Sequence, residues 1–195
     1  ALEDSMAGSH FYPDFAAVLL KQKVAEQYGL KAENVLTGAG SSAMIDMIGL
    51  TFLDDGDEVL FSAPTYGAFA DMAYLNGGVP VSVPVTEEQK FNLPAMKEKI
   101  GEKIKIVVIC NPNNPTGVLY PKELLLEIIQ VARESGLLIF ADEIYDRLVM
   151  DGKQHISLAS LTEDVPVITL NGLSKSHCLC GYRCGWMVIS GPREL

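Results

Sequence analysis

KIVVICNPNNPTGVLYPKELLLEIIQVARESGLLIFAD, residues Lys105 to Asp142, holds a complete structural unit. Lys105 to Cys110 is almost wholly apolar, which suits a strand covered on both faces, as in parallel sheets. Asn111 to Gly117 concentrates Asn, Pro and Gly, the residues that turn a chain. Pro121 to Ser135 carries apolar residues at helical spacing, with proline at the start, where its missing N–H costs nothing. Leu137 to Ala141 is a second buried strand. Strand, loop, helix and strand in this order place Asn114 and Asp142 beyond the same ends of two parallel strands. If the strands are neighbours, about 4.8 Å apart, both side chains can reach one small ring.

The same alternation runs outward in both directions. Phe15 to Gln27 reads as an amphipathic helix followed by Gly29. Val35 to Thr37 leads through Gly38-Ala39-Gly40 into a helix from Ser41 to Phe52. Glu58 to Ser62 is a strand, Tyr66 to Leu75 a helix, Val79 to Val83 a strand and Leu93 to Ile100 a short helix. Val165 to Leu170 and Trp186 to Ser190 complete the strands. The pattern predicts an α/β fold, one domain over 1–195 with a mainly parallel central sheet and helices on both faces.

At 195 residues, 48% hydrophobic and 21% charged, the chain supports one sizeable core. No run approaches the roughly 18 apolar residues of a membrane span, and Ala1-Leu-Glu-Asp-Ser-Met lacks the regions of a signal peptide. A cytoplasmic location is the expectation. A net charge of −10 argues against nucleic-acid phosphates as a partner and leaves a small molecule. Cys178, Cys180 and Cys184 do not have paired metal-ligand spacing, and His10, His155 and His177 are scattered. No metal is expected. The cysteines, set among Leu179, Tyr182 and Trp186, read as free thiols in a buried segment.

Three pieces in fixed order carry chemistry: Asn111 to Gly117, Asp142-Glu-Ile-Tyr145, and Ser174-Lys175 followed eight residues later by Arg183. Singly, each has an ordinary reading, namely a turn, a helix cap and a surface lysine. Together they supply an amide, a carboxylate, a phenol, an amine and a guanidinium, each just past a strand, where open α/β sheets bind ligands. This is the set needed to hold pyridoxal 5′-phosphate. The surroundings of Lys175 are apolar, so its amine is expected to be desolvated and partly unprotonated.

These stretches, with Gly181-Tyr-Arg183-Cys-Gly185-Trp186, resemble the fold type I, class I/II pyridoxal-phosphate aminotransferases over essentially the whole chain. Tyr12-Pro13-Asp14 and Asn34 to Ser42 are similar to the histidinol-phosphate branch. Asp142 to Asp146 and Gly185-Trp-Met-Val188 look more like the alanine, aspartate and aromatic branches. The resemblance implies that Lys175 forms the Schiff base and then moves a proton, and that Asp142 pairs with the protonated pyridine nitrogen. It implies that Asn114 and Tyr145 hydrogen-bond the ring's 3′ oxygen and that Tyr66 stacks on the ring. The phosphate is to rest on the helix start after Gly40, on the N–H groups of Ser41 and Ser42, with Ser174 and Arg183. Tyr12 is to reach the phosphate of a neighbouring subunit in a homodimer.

The family pattern is not met everywhere. Ser42-Ala43 stands where the histidinol-phosphate branch often has Asp-Glu. Family members run to roughly twice this length, and a smaller carboxy-terminal domain, absent from this chain, carries the arginine that clamps the substrate carboxylate. Arg133, Arg147 and Arg193 are not placed to replace it. The resemblance therefore implies a large domain that moves an amino group between an amino acid and a 2-oxo acid only in a longer enzyme. Carbon–sulfur lyases, synthases and decarboxylases of the same fold are alternatives, as is an effector-sensing domain of a transcription regulator. A dinucleotide-dependent dehydrogenase is disfavoured, because no GxGxxG follows the first strand.

Overall fold

The computed structural model describes residues 6–8, 10–12 and 14–192. Seven strands form one sheet: β1 (Val35–Ala39), β2 (Glu58–Ala63), β3 (Val79–Pro84), β4 (Ile104–Cys110), β5 (Leu138–Asp142), β6 (Val167–Gly172) and β7 (Cys184–Ser190). Their order across the sheet is β1-β7-β6-β5-β4-β2-β3. The pairs joining β3, β2, β4, β5 and β6 are parallel, and β7 runs antiparallel to both β6 and β1. Six strands thus point one way, and their carboxyl ends share an edge with the start of β7.

Past residue 17 the helices are α1 (Val18–Tyr28), α2 (Gly40–Phe52), α3 (Ala68–Leu75), α4 (Leu93–Lys99) and α5 (Lys122–Ser135). Side-chain alternation along the strands divides the core between the two faces. On one face Ile45, Ile48, Phe69 and Met72 of α2 and α3 pack on Val59, Val108, Phe140 and Leu170. On the other, Leu125, Ile128 and Ala132 of α5 and Met96 of α4 cover Leu60, Val107, Ile139 and Val167. Val24 and Ala25 of α1 meet Val35, Trp186 and Val188 on this second face. The central strands have no solvent-facing side, which is why they read as unbroken apolar runs.

Two helix starts differ by more than one residue from the pattern-based expectation. The first helix begins at Val18 and not Phe15, because the Asp14 carboxylate accepts the N–H groups of Ala16 at 3.0 Å and Val18 at 2.8 Å, and Ala17 adopts a left-handed conformation. The third begins at Ala68, so Tyr66 lies in the turn before it.

The antiparallel β7 brings its start against the start of α2. Gly172 pairs with Gly185 and Ala39 with Cys184. A Cβ on Gly185 would lie 2.5 Å from the Gly40 carbonyl carbon and 2.7 Å from the Ser41 nitrogen, both backbone atoms that cannot swing aside. Gly185→Ala is therefore expected to cost about 1–3 kcal/mol through forced repacking. Urea unfolding would read this, and an unchanged midpoint would show that α2 shifts freely.

Candidate active site

Each motif leaves its strand at the shared edge. Gly40 opens α2 directly after β1, Tyr66 follows β2, Asn114 follows β4, Asp142 ends β5, and Ser174 and Lys175 follow β6, with Arg183 just before β7. The loops converge on a cavity of about 250 Å³ lined by Ser41, Ser42, Tyr66, Asn114, Asp142, Ile144, Tyr145, Ser174, Lys175, Cys180 and Arg183. Nine of these eleven residues are the expected ones. Gly40 lies behind the Arg183 side chain, and Tyr12, 88% exposed, is not part of the lining.

The asparagine-rich loop separates structural from free amides. The Asn111 side-chain oxygen accepts the Tyr120 N–H at 2.8 Å. Asn113 accepts the Thr65 hydroxyl at 3.0 Å and donates to the Pro64 carbonyl at 3.2 Å and the Thr116 hydroxyl at 2.8 Å. Both are buried, and they pin the loop to itself and to the turn before α3. Asn114 is left facing the cavity. The turn reading and the ligand reading of this motif therefore both hold, on different asparagines.

Asp142 is 4% exposed. Its Oδ1 accepts the Ile144 N–H at 3.1 Å. Burial pushes its carboxyl up to about 6, against smaller downward pulls from that hydrogen bond and from Lys175. Among the described residues no cation lies within ion-pair distance of it. A buried carboxylate without a counter-charge is costly, and a cationic group in the cavity would offset that cost.

The start of α2 suits an anion. No side chain caps it and its first turn holds no acid, so its amide N–H groups remain for a ligand. Arg183 packs against Gly40, donating from one terminal nitrogen to the Cys180 carbonyl at 3.0 Å and from the other to the Ala39 carbonyl at 3.5 Å. Gly40 has φ +80°, and a Cβ there would collide with the Arg183 guanidinium. Lys175 Nζ lies 5.7 Å from the centre of the Tyr145 ring.

Two expectations need correction. Lys175 is exposed, because its loop lies at the sheet edge where no other element of this chain covers it. Cys178 and Cys180 are also exposed and Cys184 is half-buried, leaving Cys110 as the buried cysteine. The segment from Cys178 to Tyr182 is apolar but forms the open rim of the site. All four thiols are free, and among the described residues no group of His, Cys, Asp and Glu is placed to hold a metal.

Glu143 has no assigned role in the sequence. It is 4% exposed, and its Oε1 accepts the Leu158 N–H at 2.8 Å. Burial pushes its carboxyl up to about 8. Nothing local marks it, since its partners come from residues 155–158.

Residues 1–192 match Aminotransferase class I and II, and the chain belongs to that family. It is 40% identical over 192 residues to a glutamate-pyruvate aminotransferase of Haemophilus influenzae, an alignment covering 94% of this chain and 48% of that protein. It is 42% identical over 164 residues to an alanine aminotransferase of Mycobacterium tuberculosis, covering 83% of this chain and 38% of that protein. A crystal structure of an aminotransferase from Escherichia coli superposes with a TM-score of 0.92 at 35% identity, covering 98% of this chain and 50% of that one. An alanine aminotransferase from Pyrococcus furiosus also gives a TM-score of 0.92, at 33% identity over 98% of this chain and 51% of that one. The chain spans about half the length of the relatives it matches.

The buried carboxyls set a pH dependence. Between its ordinary 4.5 and about 8, folded Glu143 holds a proton that the unfolded chain releases, so stability falls as pH rises through that window. Asp142 adds a fall between 3.8 and about 6. Glu143→Gln keeps an acceptor for Leu158 and should flatten the decline between pH 6 and 8. Thermal midpoints across pH 5 to 8 would test this, and parallel curves for the two proteins would refute it.

Proposed function

We propose that this chain holds pyridoxal 5′-phosphate in the carboxyl-edge cavity and forms the cofactor-binding part of an aminotransferase that moves an amino group between an amino acid and a 2-oxo acid. The observation that carries the reading is Asp142, a buried carboxylate without a counter-charge at ion-pair distance, lining the same cavity as an uncapped helix start, Arg183 and Lys175. That donor set fits a flat cation with a phosphate at one end. The likeness to glutamate-pyruvate and alanine aminotransferases makes glutamate and alanine the expected amino donors.

Each residue has a role that its environment permits. Facing a ring N–H⁺, the Asp142 carboxylate would be held more firmly in its charged form and would keep the proton on the pyridine nitrogen. When bound, the cofactor supplies an electron sink for the pair left on the substrate's α-carbon. Asn114 and Tyr145 donate to the ring's 3′ oxygen, while Tyr66, 40% exposed at the rim, covers the ring face. The N–H groups of Ser41 and Ser42, the Ser174 hydroxyl and the Arg183 guanidinium hold the phosphate, and Gly40 leaves room for Arg183. Lys175 would be the covalent attachment point, and its amine would take and return a proton at the substrate α-carbon.

The remaining half of the length seen in the relatives is the expected source of the substrate-carboxylate arginine and of cover over Lys175. A homodimer belongs to the same reading, supported by the exposed side chains of Phe11, Tyr12, Phe15 and Leu19, with Tyr12 reaching a second copy. So does a cytoplasmic location. Among the described residues no helix is long and apolar enough to cross a membrane.

Borohydride treatment of the protein reconstituted with pyridoxal phosphate should leave a pyridoxyl mass on the Lys175 peptide, and Lys175→Ala should lose it. An adduct on another lysine, or none, would overturn the assignment. Asp142→Ala should retain some cofactor but lose nearly all turnover in an enzyme assembled to full length, and wild-type rates would remove the ring-pairing role. Replacing Arg183 should mainly weaken cofactor retention, roughly tenfold or more for a lost charge-assisted contact. Unchanged affinity would make Arg183 structural.

A further inference from the structure

On the sheet face that carries α1, α4 and α5, α1 packs on part of β7 and α5 on the start of β6, and a gap stays open between them. Thr169 and Asn171 of β6 with Trp186 and Val188 of β7 line a cavity of about 330 Å³, between Tyr28 at the end of α1 and the turn at residues 157–161. It shares no lining residue with the carboxyl-edge site. The chain from Asp142 to Asp146 divides them, with Asp142, Ile144 and Tyr145 lining one cavity and Glu143 and Asp146 the other.

This second cavity is rich in acceptors that lack donors. Asp146 Oδ1 and His155 Nε2 are fully buried without a hydrogen-bond partner. The His155 side chain is 9% exposed, and burial holds its ring below the usual histidine range. A neutral imidazole can present Nε2 as an acceptor. Glu143 Oε2 stands 3.8 Å from it, too far for a hydrogen bond. Among the described residues, neither Glu143 nor Asp146 has a lysine or arginine within ion-pair distance. Arg147 lines only the adjoining cleft. Two aromatic side chains, Tyr28 and Trp186, lie beside these acceptors, and Trp186 is 8% exposed.

We propose that this cavity binds a guanidinium group, carried by a small molecule or by an arginine side chain. A guanidinium presents five N–H donors in a planar fork, is weakly hydrated and stacks on aromatic faces. It matches the Asp146 carboxylate, the Glu143 carboxyl, an imidazole and aromatic neighbours better than a compact ammonium does. Its charge also relieves the isolation that keeps Glu143 protonated. The unpartnered Trp186 Nε1–H takes an oxygen, which water supplies.

Trp186 is the sole tryptophan of the chain, so its fluorescence reports on this cavity and the cleft that adjoins it. The 195-residue protein is titrated with methylguanidinium chloride and, separately, with the isosteric neutral methylurea, at constant ionic strength. A saturable change with methylguanidinium and none with methylurea is expected. Asp146→Asn should weaken binding roughly tenfold or more. Equal responses to the two compounds, or a linear response to both, would overturn the proposal without relying on any variant that might misfold. N-acetylarginine amide separates the sources. Affinity matching that of methylguanidinium indicates a site that accepts a polypeptide arginine, and binding of methylguanidinium alone indicates a small-molecule site.

Discussion

A carboxylate held away from water without a counter-charge is the constraint around which the carboxyl edge is organised. Asp142 closes the central strand β5, flanked in register by Cys110 of β4 and Leu170 of β6, and those neighbours exclude solvent from it. Burial raises the cost of its charge, and one backbone N–H only partly offsets that cost. The folded chain thus stores an unmet demand for a cation at one place. The phosphate end of the site makes the complementary demand, because an uncapped helix start and a guanidinium both favour negative charge.

The two demands face one cavity because of the sheet. Parallel pairing from β3 to β6 sends every strand's carboxyl end to one edge, and the antiparallel β7 brings Arg183 and Gly185 back to that edge beside β1. Gly185 permits the contact with α2 and Gly40 permits the Arg183 side chain, so two absent Cβ atoms set how close the anion and cation ends come.

The same sheet has an incomplete cover. Strands β4 and β5 are packed on both faces, whereas over β6 and β7 the layer leaves a gap between α1 and the turn at residues 157–161, where buried polar atoms of Asp146, His155, Thr169 and Trp186 are left without partners. Alternation along Asp142 to Asp146 distributes four polar side chains between two cavities. A short acidic motif therefore serves both sides of one chain segment.

Sequence by itself determined the element order, the two apolar strands at the centre and the carboxyl-edge placement of Asn114, Asp142, Lys175 and Arg183. These follow from local periodicity and from turn residues set between strands. The family was legible for the same reason, since its motifs are contiguous and ordered. Only tertiary structure decided which asparagine of the loop is free, why Tyr66 precedes its helix, that Lys175 and the Cys178 to Tyr182 segment are exposed, and that Glu143 meets His155 and Leu158. Burial depends on what packs from distant parts of the chain. An apolar stretch at a sheet edge and an apolar stretch in a core read alike until the covering elements are in place.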